Sequence, residues 1–155
     1  MTGEDRAISA IARSGIAYEV IRNGRVGSLA EAAALRGMEL GQVLKTLVVR
    51  RAENDFLFVL VPGDREISWP KLRLHLGVSR LSMPDAATAR EVTGYERGTI
   101  TPFGATRPWP VVADATITRR TVSIGAGGHG VAVVVGADAL VVVLAAEVAD
   151  ITDPA

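Results

Sequence analysis

The chain has 155 residues, 48% of them hydrophobic, with 17 basic and 17 acidic side chains, two histidines and no cysteine. That length suits one domain with a real core, so residues 1–155 are expected to fold as a unit. The missing cysteines exclude disulfides and thiolate chemistry, the two histidines exclude multi-histidine metal sites, and the zero net charge advertises no broad nucleic-acid face.

No apolar run approaches the roughly 20 residues of a membrane helix. The longest, 137–146, is broken by Asp138, and the charged start MTGEDRAISA has no apolar signal core. The expectation is a soluble, cytoplasmic protein with no membrane partner. Carboxylates are scattered rather than clustered, so neither a metal nor another cofactor is expected.

In chain order, residues 4–14 suit a short helix and 17–21 a strand. In SLAEAAALRG, Ser28 and Glu31 have capping-box spacing before an Ala-rich helix that Gly37 can end. A short helix near 39–43 leads into KTLVVRR, which AEND joins to FLFVLV as a hairpin. WPKLRLHLG (69–77) reads as a helix with Pro70 in its first turn. VSRLS (78–82) reads as a short strand, and PDAATAREVTG as a helix ending at Gly94. After the loop GYERGTITPFG come three strands, PVVAD (110–114), TVSIG (121–125) and VAVVV (131–135). GADALVVVLAA is taken as a helix despite its valines. Helices and strands do not alternate strictly, so the class is α+β, with a curved mixed sheet and flanking helices.

Fifteen of the 17 cations are arginines and only Lys45 and Lys71 are lysines. A lysine kept in such a chain marks a place where a compact ammonium matters. In VLKTLVV a strand puts Val43, Lys45, Leu47 and Val49 on one face and Leu44, Thr46 and Val48 on the other. Both faces are apolar, so the Lys45 ammonium needs an anion or carbonyl partner. A structural ion pair with Asp64, Asp114 or Asp138 is one reading; a cation for a phosphate or ester substrate, or a Schiff-base amine, are the others. The loop GAGGHG (125–130) is a tight hairpin or a backbone nest close to a ligand, with His129 as acid, base or ribose contact. Ser123, Thr46, Thr99 and Thr101 lack a nucleophile elbow, and two histidines leave little scope for triads. Arg50–Arg51 and Arg119–Arg120 read as solvated strand ends able to touch phosphates. Tyr18, Tyr95, Trp69 and Trp109 form no aromatic-basic array and read as packing residues.

VLKTLVV, GYERGTITPFG, PVVAD, GAGGHG and AAEVADIT, in this order, resemble the YbaK/ProX-type aminoacyl-tRNA deacylases, relatives of the editing domain inserted in bacterial prolyl-tRNA synthetases. The resemblance spans about residues 5–152. It implies a barrel-like mixed sheet ringed by helices, and hydrolysis in trans of a mischarged aminoacyl-tRNA, here tRNA-Pro carrying a small wrong amino acid such as Cys or Ala. It implies that Lys45 orients the tRNA 3′ end and that Gly98 belongs to the catalytic loop. Thr46, Thr99, Thr101, Pro102, Gly104, Gly128, His129 and Gly130 are implied around the substrate. No cofactor and no DNA are implied, and the protein partner the resemblance points to is prolyl-tRNA synthetase. His129 and Asn23 depart from common family residues and leave the amino-acid specificity open. The alternative is a module of the same fold that holds tRNA ends or a nucleotide without cleaving anything. A Gly/Pro loop poor in side-chain chemistry fits ester hydrolysis, because backbone N–H groups can bind an oxyanion.

Overall fold

The computed structural model describes residues 1–24 and 26–155. Helix α1 (Gly3–Ser14) is opened by Thr2, whose hydroxyl accepts from the Asp5 N–H while the Asp5 carboxylate accepts from the Thr2 N–H. Strand β1 (Glu19–Arg22) and α2 (Leu29–Arg36) follow, then a 3₁₀ turn (Leu40–Gln42). At the head of α2 the Ser28 hydroxyl accepts from Glu31 N as the spacing predicts, but the Glu31 carboxylate reaches one residue further back, to Gly27 N.

Strands β2 (Leu44–Ala52) and β3 (Asp55–Pro62) form the predicted hairpin, with Asn54 in the left-handed region that asparagine tolerates. Then come β4 (Arg65–Ile67), α3 (Trp69–Leu76), α4 (Ala86–Thr93), β5 (Val111–Asp114), β6 (Thr121–Gly125), β7 (Val131–Gly136) and α5 (Ala137–Val143). Strands β8 (Glu147–Ala149) and β9 (Thr152–Pro154) end the chain. The valine-rich 137–143 segment is the expected helix. VSRLS is not a strand: only Ser82 pairs, in an isolated bridge to Arg50.

The strands form three sheets, ordered β1-β7-β6, β2-β3-β5-β8 and β4-β9. The expected barrel is not closed among the described residues. Sheet one meets sheet two at a single parallel pair, Val43 with Ser123. Beside that pair, the Gln42 side-chain amide donates to the Thr121 carbonyl (2.9 Å), so a side chain occupies the acceptor that a continued ladder would use.

β3 explains the layering. It lies inside its sheet, antiparallel to β2 and parallel to β5, and is covered on both faces, so its apolar run does not alternate. Phe56, Phe58 and Leu60 face a large core with Ile11 of α1, Val122 and Ile124 of β6, Val133 of β7 and Leu140 of α5. Leu57, Val59 and Val61 face a smaller core with Leu72 of α3 and Ile151. No helix among the described residues is long and apolar enough to cross a membrane.

Candidate active site

The GYERGTITPFG loop begins where Gly94 ends α4. Its hydrogen bonds are mostly internal. Thr99 donates from both N–H (3.0 Å) and hydroxyl (2.8 Å) to the Glu96 carbonyl, the Thr101 hydroxyl accepts from Phe103 N (3.3 Å), and the Tyr95 hydroxyl donates to the Phe103 carbonyl (2.6 Å). Thr99, Thr101 and Phe103 are buried, and Pro102 between them is half-buried. The loop is therefore pinned by its own side chains. Among the described residues, the N–H groups of Gly98, Ile100 and Thr101 have no acceptor.

α1 holds this loop from outside. Arg6 donates to the Gly94 carbonyl (2.7 Å) and stacks over the Tyr95 ring at 4.9 Å, and Gly104 lies against the Arg6 backbone. Burial raises the Tyr95 phenol pKa, against the Arg6 charge, so it stays a neutral donor.

The β6–β7 connection, GAGGHG, faces the same loop. A Cβ on Gly98 would lie 3.5 Å from His129 Cε1, and one on Gly125 would lie 3.6 Å from the Ile100 carbonyl. His129 Nε2 sits 2.7 Å from the Glu96 carboxylate, so the imidazole is held with its other edge toward Gly98. Gly130 has φ +70 and a Cβ there would overlap the Gly24 carbonyl, while Asn23 N donates to the Gly130 carbonyl (2.9 Å). Gly128 lies beside Glu4. The structure thus brings Gly98 to His129 and keeps Thr99, Thr101, Pro102 and Gly104 on one pinned loop, whereas Gly128 and Gly130 pack against Glu4 and Gly24.

Lys45 stands apart from them. Its Nζ donates to the Arg65 carbonyl at 2.6 Å, and no hydrogen bond or ion pair links it to either glycine loop among the described residues. The expected carboxylate partners are otherwise engaged or merely nearby. Asp138 accepts from Arg119 N, Asp114 accepts from Thr116 and Ile151 N, and Asp64 acts on Lys45 only as a neighbouring charge. Burial, the largest influence, pushes the Lys45 pKa below its usual 10.5, against the charges of Glu66 and Asp64. The residue after it, Thr46, falls on the other face of β2, where Leu44 and Val48 join the core that holds Phe103. Its buried hydroxyl has no hydrogen-bond partner among the described residues.

Gly98 itself has φ +87, where a β-branched residue is strained, so valine there would perturb the backbone as well as fill space. Sequence reasoning missed Glu96, Arg6 and Tyr95 as site-builders. Only the three-dimensional approach of α1 and the two loops gives them a role. Ser123 is buried in mid-β6 and accepts from Arg36 (2.9 Å), a structural bond rather than an activated nucleophile.

The chain matches the model of a family described as the aminoacyl-tRNA editing domain over residues 24–142. It is 28% identical over 118 residues to the multifunctional Ser/Thr-tRNA deacylase ProXp-y of Escherichia coli, covering 74% of this chain and 71% of that one. It is 34% identical over 90 residues to a proline–tRNA ligase of Geobacter, covering 58% of this chain and 16% of the ligase. A crystal structure described as a candidate trans-editing enzyme for prolyl tRNA synthetase superposes with a TM-score of 0.88 at 24% identity, over 99% of this chain and 98% of that one, and so shares the fold. The glycine loops, their α1 clamp and these likenesses agree, and the chain belongs to the aminoacyl-tRNA editing domain family.

Proposed function

We propose that this protein is a trans-acting hydrolase that cleaves the ester between a wrong amino acid and the 3′ end of a tRNA. The carrying observation is the set of unspent N–H groups of Gly98, Ile100 and Thr101 on a loop pinned by its own hydrogen bonds. Water attacks the ester carbonyl, the carbonyl oxygen becomes an oxyanion, and the intermediate collapses to free amino acid and a ribose hydroxyl. Donors already fixed for that oxyanion cost no reorganisation, and one such donor is worth about 10²–10³ in rate. Lys45 keeps two further N–H groups beyond its bond to Arg65 and serves as the cation that orients the terminal nucleotide. In this reading His129, which is steadied by Glu96, contacts the amino acid or the attacking water.

The substrate is tRNA-Pro carrying a small amino acid such as Cys or Ala, supplied by prolyl-tRNA synthetase. Relatives named for Ser/Thr-tRNA and, in Enterococcus faecalis, as a candidate Cys-tRNA deacylase support the class, and the small glycine-lined approach at Gly98 supports small side chains. The test is a panel of tRNA-Pro preparations charged with Ala, Cys, Ser, Thr or Pro. The expected result is rapid release of Ala or Cys with Pro spared. Binding without release of any amino acid would favour a non-catalytic module.

A further inference from the structure

The far end of β2 carries a feature that the ester site does not use. Arg50, Arg51, Arg73 and Arg80, with Ser79 and Ser82, line an open cavity of about 630 Å³ with no acidic residue in its wall. This concentration is notable in a chain of zero net charge. The cavity floor is built rather than incidental: Arg50 N donates to the Ser82 carbonyl (2.7 Å) and Ser82 N to the Arg50 carbonyl (3.1 Å), which ties the segment after α3 to the strand. Arg51 is steadied by a two-point ion pair with Asp55 (3.0 and 3.2 Å), whereas Arg50, Arg73 and Arg80 have no carboxylate within ion-pair distance among the described residues. Three of these four cations are without a paired carboxylate among the described residues, which leaves a local positive field that an anion would relieve.

We propose that this cleft is a docking site for the phosphodiester backbone of the tRNA acceptor end, a reading that rests on the tRNA ester substrate proposed above. Guanidinium forks and serine hydroxyls match phosphate oxygens, and backbone contacts of this kind fix register without reading bases. The spacing agrees. Lys45 and Arg51 lie six residues apart on one strand, about 20 Å at ~3.3 Å per residue, the reach of a few nucleotides from the 3′ end toward the stem. Lys45 would hold the terminal nucleotide and the cleft would hold the backbone further along.

The experiment compares wild type, Arg73→Gln/Arg80→Gln and a charge-matched control, Arg13→Gln/Arg90→Gln, which alters exposed helix arginines outside the cleft. Binding of uncharged tRNA-Pro is measured across salt concentrations, and deacylation is measured on aminoacyl-tRNA and on the same amino acid esterified to adenosine alone. For the cleft variant the expected results are a KM for aminoacyl-tRNA raised at least tenfold, unchanged kcat, and unchanged hydrolysis of the adenosine ester. Its binding should also lose about 1.4–1.8 from the log–log salt slope, two phosphate contacts at 0.7–0.9 each. The control should match wild type. Equal tRNA binding and equal salt slopes for the three proteins would overturn the proposal, as would an equal loss on both esters. A wild type that cleaves no ester would sink the deacylase reading, and the binding comparison would still decide the cleft.

Discussion

Lys45 and Gly98 carry different kinds of constraint, one of charge and one of backbone. Burial holds the Lys45 pKa below 10.5, so the unfolded chain keeps that proton more tightly than the folded one between the lowered value and 10.5. Stability therefore rises with pH in that window. Wild type should gain stability over Lys45→Met as the pH is raised from about 8 toward 10.5, measured by urea unfolding. A constant difference would mean that the ammonium is solvated in the native state. At Gly98 the φ of +87 makes asparagine a cleaner probe than valine, because asparagine tolerates left-handed backbone. Gly98→Asn should stay folded and lose at least about tenfold in turnover, because a side chain now projects toward His129 between the loops. Near-normal turnover would remove this loop from the site.

At the scale of elements, the site is held by parts distant in sequence. Asp114, fully buried at the end of β5, would have its pKa raised by burial, but hydrogen bonds from Thr116, Thr152 and Ile151 outweigh this and hold it below 3.8. Arg65 of β4 lies 3.9 Å from that carboxylate and donates to the Thr152 hydroxyl (2.6 Å), and its carbonyl receives Lys45. Because the folded pKa is depressed, this knot's electrostatic contribution is full above 3.8 and is lost as pH falls through the lower folded value. Asp114→Ala leaves the buried Ile151 N–H unpaired, while the exposed Thr116 donors can turn to water, and should cost about 1–3 kcal/mol, the penalty for one buried group left unsatisfied. A loss under about 0.5 kcal/mol by chemical denaturation, the size of an ordinary surface change, would contradict this. The elements themselves were largely legible: caps at Ser28 and Gly37, Pro70 at a helix start, and the AEND hairpin are local chemistry that sequence carries directly. β4, β8 and β9 were not, because REI, EVA and TDP are too short and polar to show a period. Their pairing is a product of tertiary approach. The same holds for the site. Glycines 98, 104 and 130 were visible as letters, whereas the Arg6–Tyr95 stack and the Glu96–His129 pair exist only once α1 and the loops meet.

For the whole molecule, the layered sheet places the pinned loop and the β6–β7 turn on the large core, and Lys45 on the side covered by α3. The loops and Lys45 thus lie on opposite sides of the β2 sheet, and the proposed substrate has to span both. The two histidines and scattered carboxylates offer no cluster of three metal-binding side chains among the described residues. Deacylation of preformed substrate should accordingly survive a chelator, and loss restored by one divalent ion would contradict that expectation. Cleavage of a lysine-positioned tRNA ester by this loop makes turnover depend on Lys45. That dependence is tested most directly by single-turnover deacylation of wild type and Lys45→Ala, paired with thermal unfolding of both. The expected result is a folded Lys45→Ala protein, weakened by about 1–3 kcal/mol, whose deacylation falls by orders of magnitude. A folded Lys45→Ala protein that releases the amino acid at nearly the wild-type rate would contradict it.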